Sequence, residues 1–407
     1  MTEKTLAAGT GSKAMPRAWI GRYSLAWLGL WMAYLVPQQF AIPDQLARVD
    51  PAGRIADFGI INAVCGVVAL FTLPLFGTLC DRTRSRFGRR RLWVAGGATL
   101  FAGGLTATGL QSDWTGIGLS WLACSIGFCM ATVGFTALVA DQVPEAQRGT
   151  VSSAMFGPQT VGVVLGLFCL TAISGDLLRY LLLAAGVLVL TAPFVLTHRD
   201  TPATRPDGGV GLAAFAAGFR GNPAFARTFG TRVLMNLANA LATSFQLYFI
   251  TDVLRVAHPE QLLLLLTLVY LGWTLLSVYV CGMLSDRLGR RRAFVACGAI
   301  GQALGCAVVA IAPNTGTALA ATSLIGVGVG AYLAVDQAII TAVLPAAENR
   351  ARDLGIMNIG LFGPQTLGPL LASLVISSLG GYQVLFALAG FTSLVSGLLI
   401  YRVTSVR

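Results

Sequence analysis

The sequence predicts an all-α membrane protein in which twelve transmembrane helices form two pseudo-symmetric six-helix bundles. Hydrophobic residues make up 55% of the 407 residues and charged residues 11%, with a mean hydropathy of +0.73. A soluble domain carries about 25% charged residues, so this chain is too poor in charge to cover a globular surface in water. The chain also repeats itself. Asp81 and Asp286 lie in matching arginine-rich motifs, and FGPQT begins at Phe156 and again at Phe362. Two homologous halves in one membrane chain are typical of secondary transporters.

Twelve apolar segments are long enough to cross a membrane, which takes about 20 residues. They lie at about 20–43, 56–80, 92–111, 115–140, 151–175 and 178–197 in the first half, and at about 227–252, 260–284, 293–312, 316–343, 355–379 and 382–402 in the second. Prolines, glycines and aspartates interrupt the sequence between the two sets. The predicted domains are therefore an N-terminal tail (1–19), a bundle (20–197), a linker (198–226), a second bundle (227–402) and a C-terminal tail (403–407).

The distribution of positive charge predicts the orientation of these spans. The formal net charge is +11, yet the loops that join odd to even spans contain only Arg48, Arg54, Arg179 and Arg255. Nearly all other arginines and lysines fall in the tails, the linker and the even-to-odd loops. Because positively charged loops stay in the cytoplasm, we expect both termini there and the chain in the plasma (inner) membrane. Topology explains the charge, so no nucleic-acid partner is expected.

The sequence lacks the motifs of enzymes, ATP-driven pumps and metal sites. It contains no Walker A, H-E-x-x-H or G-x-S-x-G motif, and only two histidines. None of the eight cysteines forms a C-x-x-C pair or a Cys/His cluster. We therefore expect no catalytic residue, no metal and no cofactor, and an ion gradient as the source of energy.

Two matching stripes predict a path for a solute. The stripe on the seventh span consists of Arg232, Asn236, Asn239, Thr243 and Gln246. The stripe on the first span consists of Trp27, Trp31, Tyr34 and Gln38, which lie 205 positions before the first four members of the other stripe. Helical spacing keeps each stripe on one face, and in lipid such a face turns toward a water-filled cavity or a neighbouring helix. We favour a cavity for the matched pair, while hydrogen bonding between helices stays open for any single residue.

Carboxylates inside the membrane are candidates for carrying the coupling proton. Asp336 lies about two turns from the cytoplasmic end of the tenth span, where a charged carboxylate is costly and usually functional. The alternative is a structural ion pair with an arginine of the next loop, such as Arg350 or Arg352. Asp57, near the outer end of the second span, is a second candidate, although there a carboxylate can simply be solvated.

Prolines occur inside two predicted spans at matching positions. Gln159 and Gln365 follow Pro158 and Pro364 in the two FGPQT copies. A proline inside a helix frees a backbone carbonyl and allows a bend. We include both glutamines in the predicted substrate-binding set, and whether the bends move or are static stays open.

The arginine-rich loops are predicted to form a cytoplasmic gate in addition to setting the topology. An aspartate in such a loop can pair with nearby arginines or face a helix N-terminus, whose dipole favours a negative group. The predicted gate residues are Asp81, Arg82, Gly88, Arg89, Arg90, Asp141 and Arg148 in the first half, and Asp286, Arg287, Gly289, Arg290 and Arg291 in the second.

The loop motifs resemble those of the major facilitator superfamily. The second copy matches that family's Gly-x-x-x-Asp-Arg-x-Gly-Arg-Arg from Gly282 to Arg291 without gaps. The first copy has five residues between Arg82 and Gly88, and this longer form, together with residues 140–149, resembles the glycoside–pentoside–hexuronide and sucrose-transporter-like branch. The resemblance implies alternating access between two six-helix bundles and sugar uptake coupled to protons or sodium. Melibiose carriers of that branch use paired acids in the second span, where this chain has only Asp57, so protons are preferred to sodium.

The resemblance and the two stripes together favour a proton-coupled symporter of a sugar or glycoside that works as a monomer in the lipid bilayer. Aromatic residues of the first span would stack on sugar rings, and amides of the seventh span would bind hydroxyls. The alternative is proton antiport of a drug or secondary metabolite, since Gly157-Pro158-x-x-x-Gly162 partly resembles the fifth-span motif of drug antiporters. A transporter-like sensor is a third possibility, which predicts a long cytoplasmic signalling domain that we do not see.

Overall fold

Twelve helical rods make up the described part of the chain. The computed structural model describes residues 14–83, 85, 88–198, 200, 223–343 and 350–403. The rods of the first half are α1 Arg17–Val49, α2 Arg54–Arg82, α3 Arg89–Gly109, α4 Trp114–Gln142, α5 Glu145–Thr171 and α6 Asp176–Thr197. Those of the second half are α7 Pro223–Thr243 continued by Gln246–Leu254, α8 Pro259–Leu288, α9 Arg291–Ile311, α10 Thr315–Val343, α11 Arg350–Ser378 and α12 Gly381–Tyr401. Each coincides with one predicted span.

The rods confirm an all-α, multi-pass membrane protein. Within the described residues, ten rods are long and apolar enough to cross a membrane, or eleven if the two pieces of α7, bent by 43°, form one span. The remaining rod is α3, which has 21 residues but begins with three arginines and is rich in glycine and threonine. That composition, and not its length, keeps α3 out of the set.

Two of the described rods contain a turn of π-helix. In α1 the residues Pro37–Ala41 form a π-helical turn, and α7 ends in another at Ile250–Leu254. At the bend of α7 the hydroxyls of Thr243 and Ser244 donate to the carbonyls of Asn239 and Ala240, at 2.8 and 2.5 Å. Hydroxyls that bond back to the preceding turn bend helices, so the bend falls between Thr243 and Gln246 of the polar stripe.

The chain divides into two compact units, of which the described residues form the parts discussed below. The first comprises Met1–Val36 and Val68–Asp207, and the second comprises Pro37–Val67 and Gly208–Arg407. In the first unit α3 packs on α4 and α6, and α1 packs on α5 and α6. In the second unit the equivalent pairs recur, with α9 on α10 and α12 and α7 on α11 and α12. The domain boundaries given by the sequence stay a prediction.

Close helix crossings repeat between the halves. A Cβ on Gly97 of α3 would overlap the backbone of Ala131 and Gly127 on α4, and the Gly127 position meets Phe101 on α3 in the same way. In the second unit Gly298 of α9 and Gly328 of α10 form the matching contact. Glycine at these positions lets the backbones approach, which is how small residues hold membrane helices together.

Candidate functional site

A buried ion pair joins α7 to α10 in the second unit. Arg232 Nη1 lies 2.5 Å from Asp336 Oδ2, and the side chains are 2% and 8% exposed. The hydroxyl of Tyr332 donates to the other carboxylate oxygen at 2.8 Å. Asn236 Nδ2 donates to the carbonyl of Arg232 at 2.8 Å, which fixes the amide beside the ion pair. The carboxylate therefore has a partner on each oxygen.

Helical spacing explains why these four residues meet. Arg232 and Asn236 are one turn apart on α7, and Tyr332 and Asp336 are one turn apart on α10, so each helix presents a pair on one face. Asp336 thus has an arginine of the predicted stripe as its partner. The loop arginines Arg350 and Arg352, which the sequence offered as partners, have side chains outside the described part of the structure. The sequence showed an arginine inside the seventh span and an aspartate inside the tenth, but not that the two would meet.

The other residues of the α7 stripe make hydrogen bonds within the second unit. Tyr270 on α8 donates its hydroxyl to Asn239 Oδ1 at 3.2 Å. Thr243 bonds to the carbonyl of Asn239, and Gln246 is half-buried beyond the bend. The stripe thus combines side chains bonded within the unit with the half-buried amide of Gln246.

The aromatic stripe of α1 lies within the first unit. Trp27 stacks on Trp31 at 5.5 Å and packs against Tyr23 and Phe135. Trp27 has no exposed surface, so in this structure its ring packs on protein. Trp31 donates its indole N–H to the carbonyl of Met155 on α5 at 3.0 Å and is 7% exposed.

Tyr34 is the most accessible aromatic residue of this stripe. It is half-buried and stacks on Phe128 at 4.1 Å and on Trp121 at 5.8 Å. Aromatic packing in the first unit thus holds all three rings of the stripe in fixed orientations.

Three predicted glutamines occupy different surroundings. Gln38 is half-buried in the π-helical turn of α1 and belongs to the second unit. Gln159 on α5 is half-buried and belongs to the first unit, whereas Gln365 on α11 is exposed and belongs to the second. The predicted substrate set is therefore divided between the units, and within the second unit it includes Asn236, beside the Arg232–Asp336 pair.

Asp57, for which the sequence left solvation open as an alternative to a coupling role, is buried. The residue is 6% exposed, and its Oδ2 has no hydrogen-bond partner among the described residues. Asp50 Oδ2 lies beside it across Gly53. The start of α2 packs against α7, where Phe58 meets Phe245 edge to face at 5.3 Å, and this packing removes Asp57 from solvent.

A cluster that the sequence did not single out joins α2, α7 and α12 in the second unit. Arg54 Nη2 lies 2.5 Å from Asp252 Oδ1, and the guanidinium carbon of Arg54 stands 5.2 Å from the ring centre of Tyr248. The hydroxyl of Tyr382 donates to Asp252 Oδ2 at 2.9 Å. Arg54 counted only as a loop arginine in the sequence, and its partner is 198 positions away, so no local pattern pointed to the cluster.

In the first unit the predicted gate aspartate meets an arginine of its own motif. Arg90 Nη1 lies 2.8 Å from Asp81 Oδ1, and Arg89 Nη1 donates to the carbonyl of Asp81 at 3.2 Å. Arg82 is exposed. Gly88 precedes α3 with φ +98°, a backbone region that favours glycine.

The carboxylate of Asp200 occupies the N-terminus of α3 beside this pair. It accepts from the backbone N–H groups of Arg90 and Arg91 at 2.7 and 3.1 Å, and a Cβ on Gly88 would overlap it. Burial raises the pKa of Asp200, but the hydrogen bonds from His198, Arg91 and Arg90 outweigh it, so the pKa lies below its usual range. The sequence placed Asp200 in the linker and gave it no role.

The second copy of the loop motif is more open. Asp286, Arg287, Gly289 and Arg290 are exposed, and Asp286 has no ion-pair partner among the described residues. Arg291 Nη1 donates to the carbonyl of Ala338 on α10 at 3.4 Å. Gly289 ends α8 at φ +63°, so this glycine of the motif serves as a left-handed helix cap. The side chains of Asp141 and Arg148 lie outside the described part of the structure.

The described residues contain no group of three or more His, Cys, Asp or Glu side chains that could hold a metal. The functional groups of the residues described above are a buried carboxylate, its arginine partner, amides and aromatic rings. Such an arrangement can bind a proton and a polar solute.

Comparison with known proteins identifies the fold. A family model described as Major Facilitator Superfamily matches residues 23–257 and 224–407. The chain resembles the crystal structure of a mutant of the nucleoside transporter NupG with a TM-score of 0.73 and 16% identity, over 95% of this chain and 99% of that one. It resembles a mutant of the peptide transporter POT in complex with sulfate with a TM-score of 0.72 and 14% identity, over 94% of each chain.

A third similar structure is a bacterial homolog of the human lysosomal transporter Spinster, in an inward-facing and unoccupied conformation. It has a TM-score of 0.64 and 16% identity, over 95% of this chain and 94% of that one. No curated protein matches the sequence.

Proposed function

The chain belongs to the Major Facilitator Superfamily, and from this premise we propose that it is a proton-coupled symporter of a small polar solute, with sugars or glycosides as the preferred class. Membership makes the protein a multi-pass secondary transporter, and not an enzyme. The proposal adds the coupling ion, the direction and the solute class. It also places the termini in the cytoplasm and the protein in the plasma membrane, on the basis of the arginine distribution.

The observation that carries the proposal is the buried pair of Asp336 and Arg232. With the carboxylate charged, the pair is neutral and both of its oxygens have partners. A proton on Asp336 would leave Arg232 as an uncompensated buried charge, which is strongly unfavourable in a low-dielectric interior. Proton binding must therefore be accompanied by a rearrangement of Arg232, by entry of water or by binding of a solute group. That dependence links the proton to the solute.

The surroundings of the pair favour a hydroxyl-rich solute. Asn236 lies beside Arg232, and Asn239 and Gln246 follow on the same helix, so donors and acceptors are spaced along α7. Guanidinium and amide groups bind neutral polyols without requiring a charge on the solute. The assignment to the glycoside–pentoside–hexuronide branch rests on the loop motifs and remains part of this proposal.

Efflux of a drug or secondary metabolite by proton antiport is the second candidate. The observation in its favour is the aromatic cluster of the first unit, in which Trp27, Trp31 and Tyr34 pack with Phe128 and Phe135. Flat aromatic ligands bind well to such a surface. This candidate uses the same carboxylate, so the direction of solute movement distinguishes the two functions.

The test is transport by the full-length protein in proteoliposomes under an imposed proton gradient. We expect accumulation of a labelled sugar or glycoside that collapses with a protonophore. Asp336→Asn should abolish gradient-driven accumulation while retaining exchange of the solute across the membrane. Asp176→Asn, which removes a carboxylate paired with Arg179 at the start of α6, is the matched control and should transport normally. Gradient-driven expulsion of dyes with no sugar flux would contradict symport and support antiport.

A further inference from the structure

The end of α6 carries a histidine whose two ring nitrogens are both engaged. The Trp19 indole Nε1–H on α1 donates to His198 Nδ1 at 3.1 Å. Because the indole nitrogen can only donate, Nδ1 must be the acceptor and the ring proton must sit on Nε2. That proton is donated to Asp200 Oδ1, 3.0 Å away. The contacts therefore define a neutral imidazole in a single tautomer.

The histidine is packed as well as bonded. His198 is 4% exposed and stacks on Phe194 at 5.0 Å with an angle of 10° between the rings. Trp19 meets the edge of Phe194 at 5.6 Å and stacks on Tyr23 at 5.2 Å. The first turn of α1 therefore contacts the end of α6 through one hydrogen bond and an aromatic cluster.

Asp200 connects this histidine to the predicted gate. One carboxylate oxygen accepts from His198, and the other accepts from the backbone N–H groups of Arg90 and Arg91 at the start of α3. The side chain of Arg90 in turn holds Asp81. A chain of contacts thus runs from Trp19 through the histidine and Asp200 to the arginine-rich loop.

Comparison of the two halves shows which contacts between the first and last helix of a set are repeated and which occur in the first half only. Arg22 on α1 bonds to Thr197 Oγ1 at the end of α6, and Arg227 on α7 donates to the carbonyl of Arg402 after α12 at 2.6 Å. These pairs are 205 positions apart, so both halves use an arginine to tie the first helix of a bundle to the last. The positions equivalent to Trp19 and His198 are Ala224 and Val403. The histidine connection is an addition in the first half only.

We propose that His198 is a proton-operated latch, which holds the start of α1 to the end of α6 while Nδ1 is unprotonated and releases it when Nδ1 takes up a proton. A protonated ring would point an N–H at the indole N–H of Trp19 across 3.1 Å, and two donors repel. The contact with Asp200 would persist and gain charge. Histidine is the side chain that titrates closest to neutral pH, so the latch would respond to the compartment that this end of the protein faces.

Charged groups on each packed element enter this response. These groups are Asp200 on the same segment, Arg22 on α1, and Arg90 and Arg91 at the start of α3. The latch goes beyond the proposed function, because it concerns regulation of the first unit and requires no particular solute. Asp200 acts as a positioning residue, since it orients the ring and the start of α3 together.

The test uses the full-length protein in lipid nanodiscs with isotope-labelled histidine and tryptophan. The chain has only two histidines, and His258 is an exposed residue near Glu260, so one variant assigns both signals. We expect His198 to carry its proton on Nε2 at neutral pH. On acidification the Trp19 indole N–H resonance should shift with the same midpoint as the His198 ring.

Variants distinguish a latch from static packing. In His198→Gln the amide can accept from Trp19 and donate to Asp200, so the Trp19 shift should disappear while the fold is kept. His258→Gln is the matched control and should leave the Trp19 response unchanged. Hydrogen exchange in residues 17–23, corrected for the intrinsic effect of pH, should rise several-fold on acidification in the parent protein and stay constant in His198→Gln.

Three results would overturn the latch. One is a Trp19 signal that does not move while the His198 ring titrates. Another is a proton on Nδ1 at neutral pH, and the third is an unchanged response in His198→Gln. If His198→Gln does not fold, Trp19→Phe removes the same hydrogen bond from the other side. In that variant the pH-dependent rise in exchange should be absent, and its persistence would refute the proposal. None of these measurements depends on transport, so they fail or succeed independently of the proposed symport.

Discussion

Arg54 at the start of α2 and Asp252 in the π-helical end of α7 form an ion pair across 198 positions of sequence, with Nη2 2.5 Å from Oδ1. Both side chains are about three-quarters buried, at 24% and 23% exposure. The hydroxyl of Tyr382 on α12 donates to the same carboxylate. Three helices of the second unit are therefore joined at one carboxylate, far along the chain from one another.

The Arg54–Asp252 pair should contribute measurably to stability. A double-mutant cycle with Arg54→Gln and Asp252→Asn should give a coupling free energy of about 1 kcal/mol, the upper end for pairs that water still reaches. The measurement is chemical denaturation of each variant in the same lipid or detergent. The exposed pair Arg48–Asp44, at 49% and 30% exposure, is the control, and its coupling should be smaller and vanish in high salt. Equal couplings for the two pairs would contradict the geometry.

Removing one partner of the buried Arg232–Asp336 pair should destabilise the protein more than removing both. Arg232→Gln leaves a buried carboxylate without its cation, which costs about 3–5 kcal/mol. In the double variant Arg232→Gln with Asp336→Asn no buried charge remains, so most of that loss should be recovered. Unfolding free energies of the three variants test this. A double variant whose loss equals the sum of the single losses would show that the two residues do not interact.

The lowered pKa of Asp200 predicts that the stability of the protein depends on pH in the acid range. Its folded-state pKa is lowered, so its contribution is complete above the unfolded-state value of about 4 and is lost as pH falls through the lower folded-state value. Asp200→Asn should therefore cost about 1 kcal/mol at neutral pH, as expected for a carboxylate at a helix N-terminus, and nothing in strong acid. Both proteins are compared by denaturation across that range. Both proteins are also compared in the His198→Gln background, so that the imidazole does not contribute. If the stability lost in Asp200→Asn does not depend on pH, the pH dependence does not come from Asp200.

Adjacent glycines on α3 offer a matched comparison of helix packing. A Cβ on Gly104 would lie 2.8 Å from the backbone nitrogen of Cys124 on α4, whereas a Cβ on Gly103 meets nothing within 4 Å. Gly104→Ala should cost about 1–3 kcal/mol through overpacking. Gly103→Ala should be neutral or stabilising by up to about 1 kcal/mol, because alanine is the better helix former. Thermal unfolding in detergent measures both, and a loss for Gly103→Ala as large as that for Gly104→Ala would contradict the crossing geometry.

The fold could be predicted from the sequence because membrane helices follow local rules. About twenty apolar residues mark a span wherever they occur, and all twelve predicted segments correspond to helices in the structure. The difference in length between the two loop motifs also explains a change in the repeat distance. The first loop is four residues longer between Asp81 and Gly88 than the second between Asp286 and Gly289, so the repeat distance drops from 205 at Asp81 to 201 in α3 and α4. Gly97 and Gly298, 201 positions apart, then form the same helix crossing.

Side-chain partners were harder to predict, since they depend on which faces of distant helices meet. The spacing of the α7 stripe correctly placed Arg232 and Asn236 on one face, but nothing local indicated that Asp336 would meet that face. For Asp57 the sequence left open whether the carboxylate is solvated, because its position in the span gives depth and not packing. Asp200 and His198 had no predicted role, as both lie just after the last apolar residue of α6, where the sequence reads as linker.

The assignment of residues 37–67 to the second unit affects how the gene could be divided. If the gene is divided in the stretch between the two sets of helices, it yields two polypeptides, and neither of them contains all the residues of one unit. The first fragment would carry a segment whose packing partners, among them Asp252, Thr366 and Ser373, belong to the other fragment. Each fragment synthesised alone would leave that surface uncovered. Two such fragments should accumulate stably only when they are produced in the same membrane.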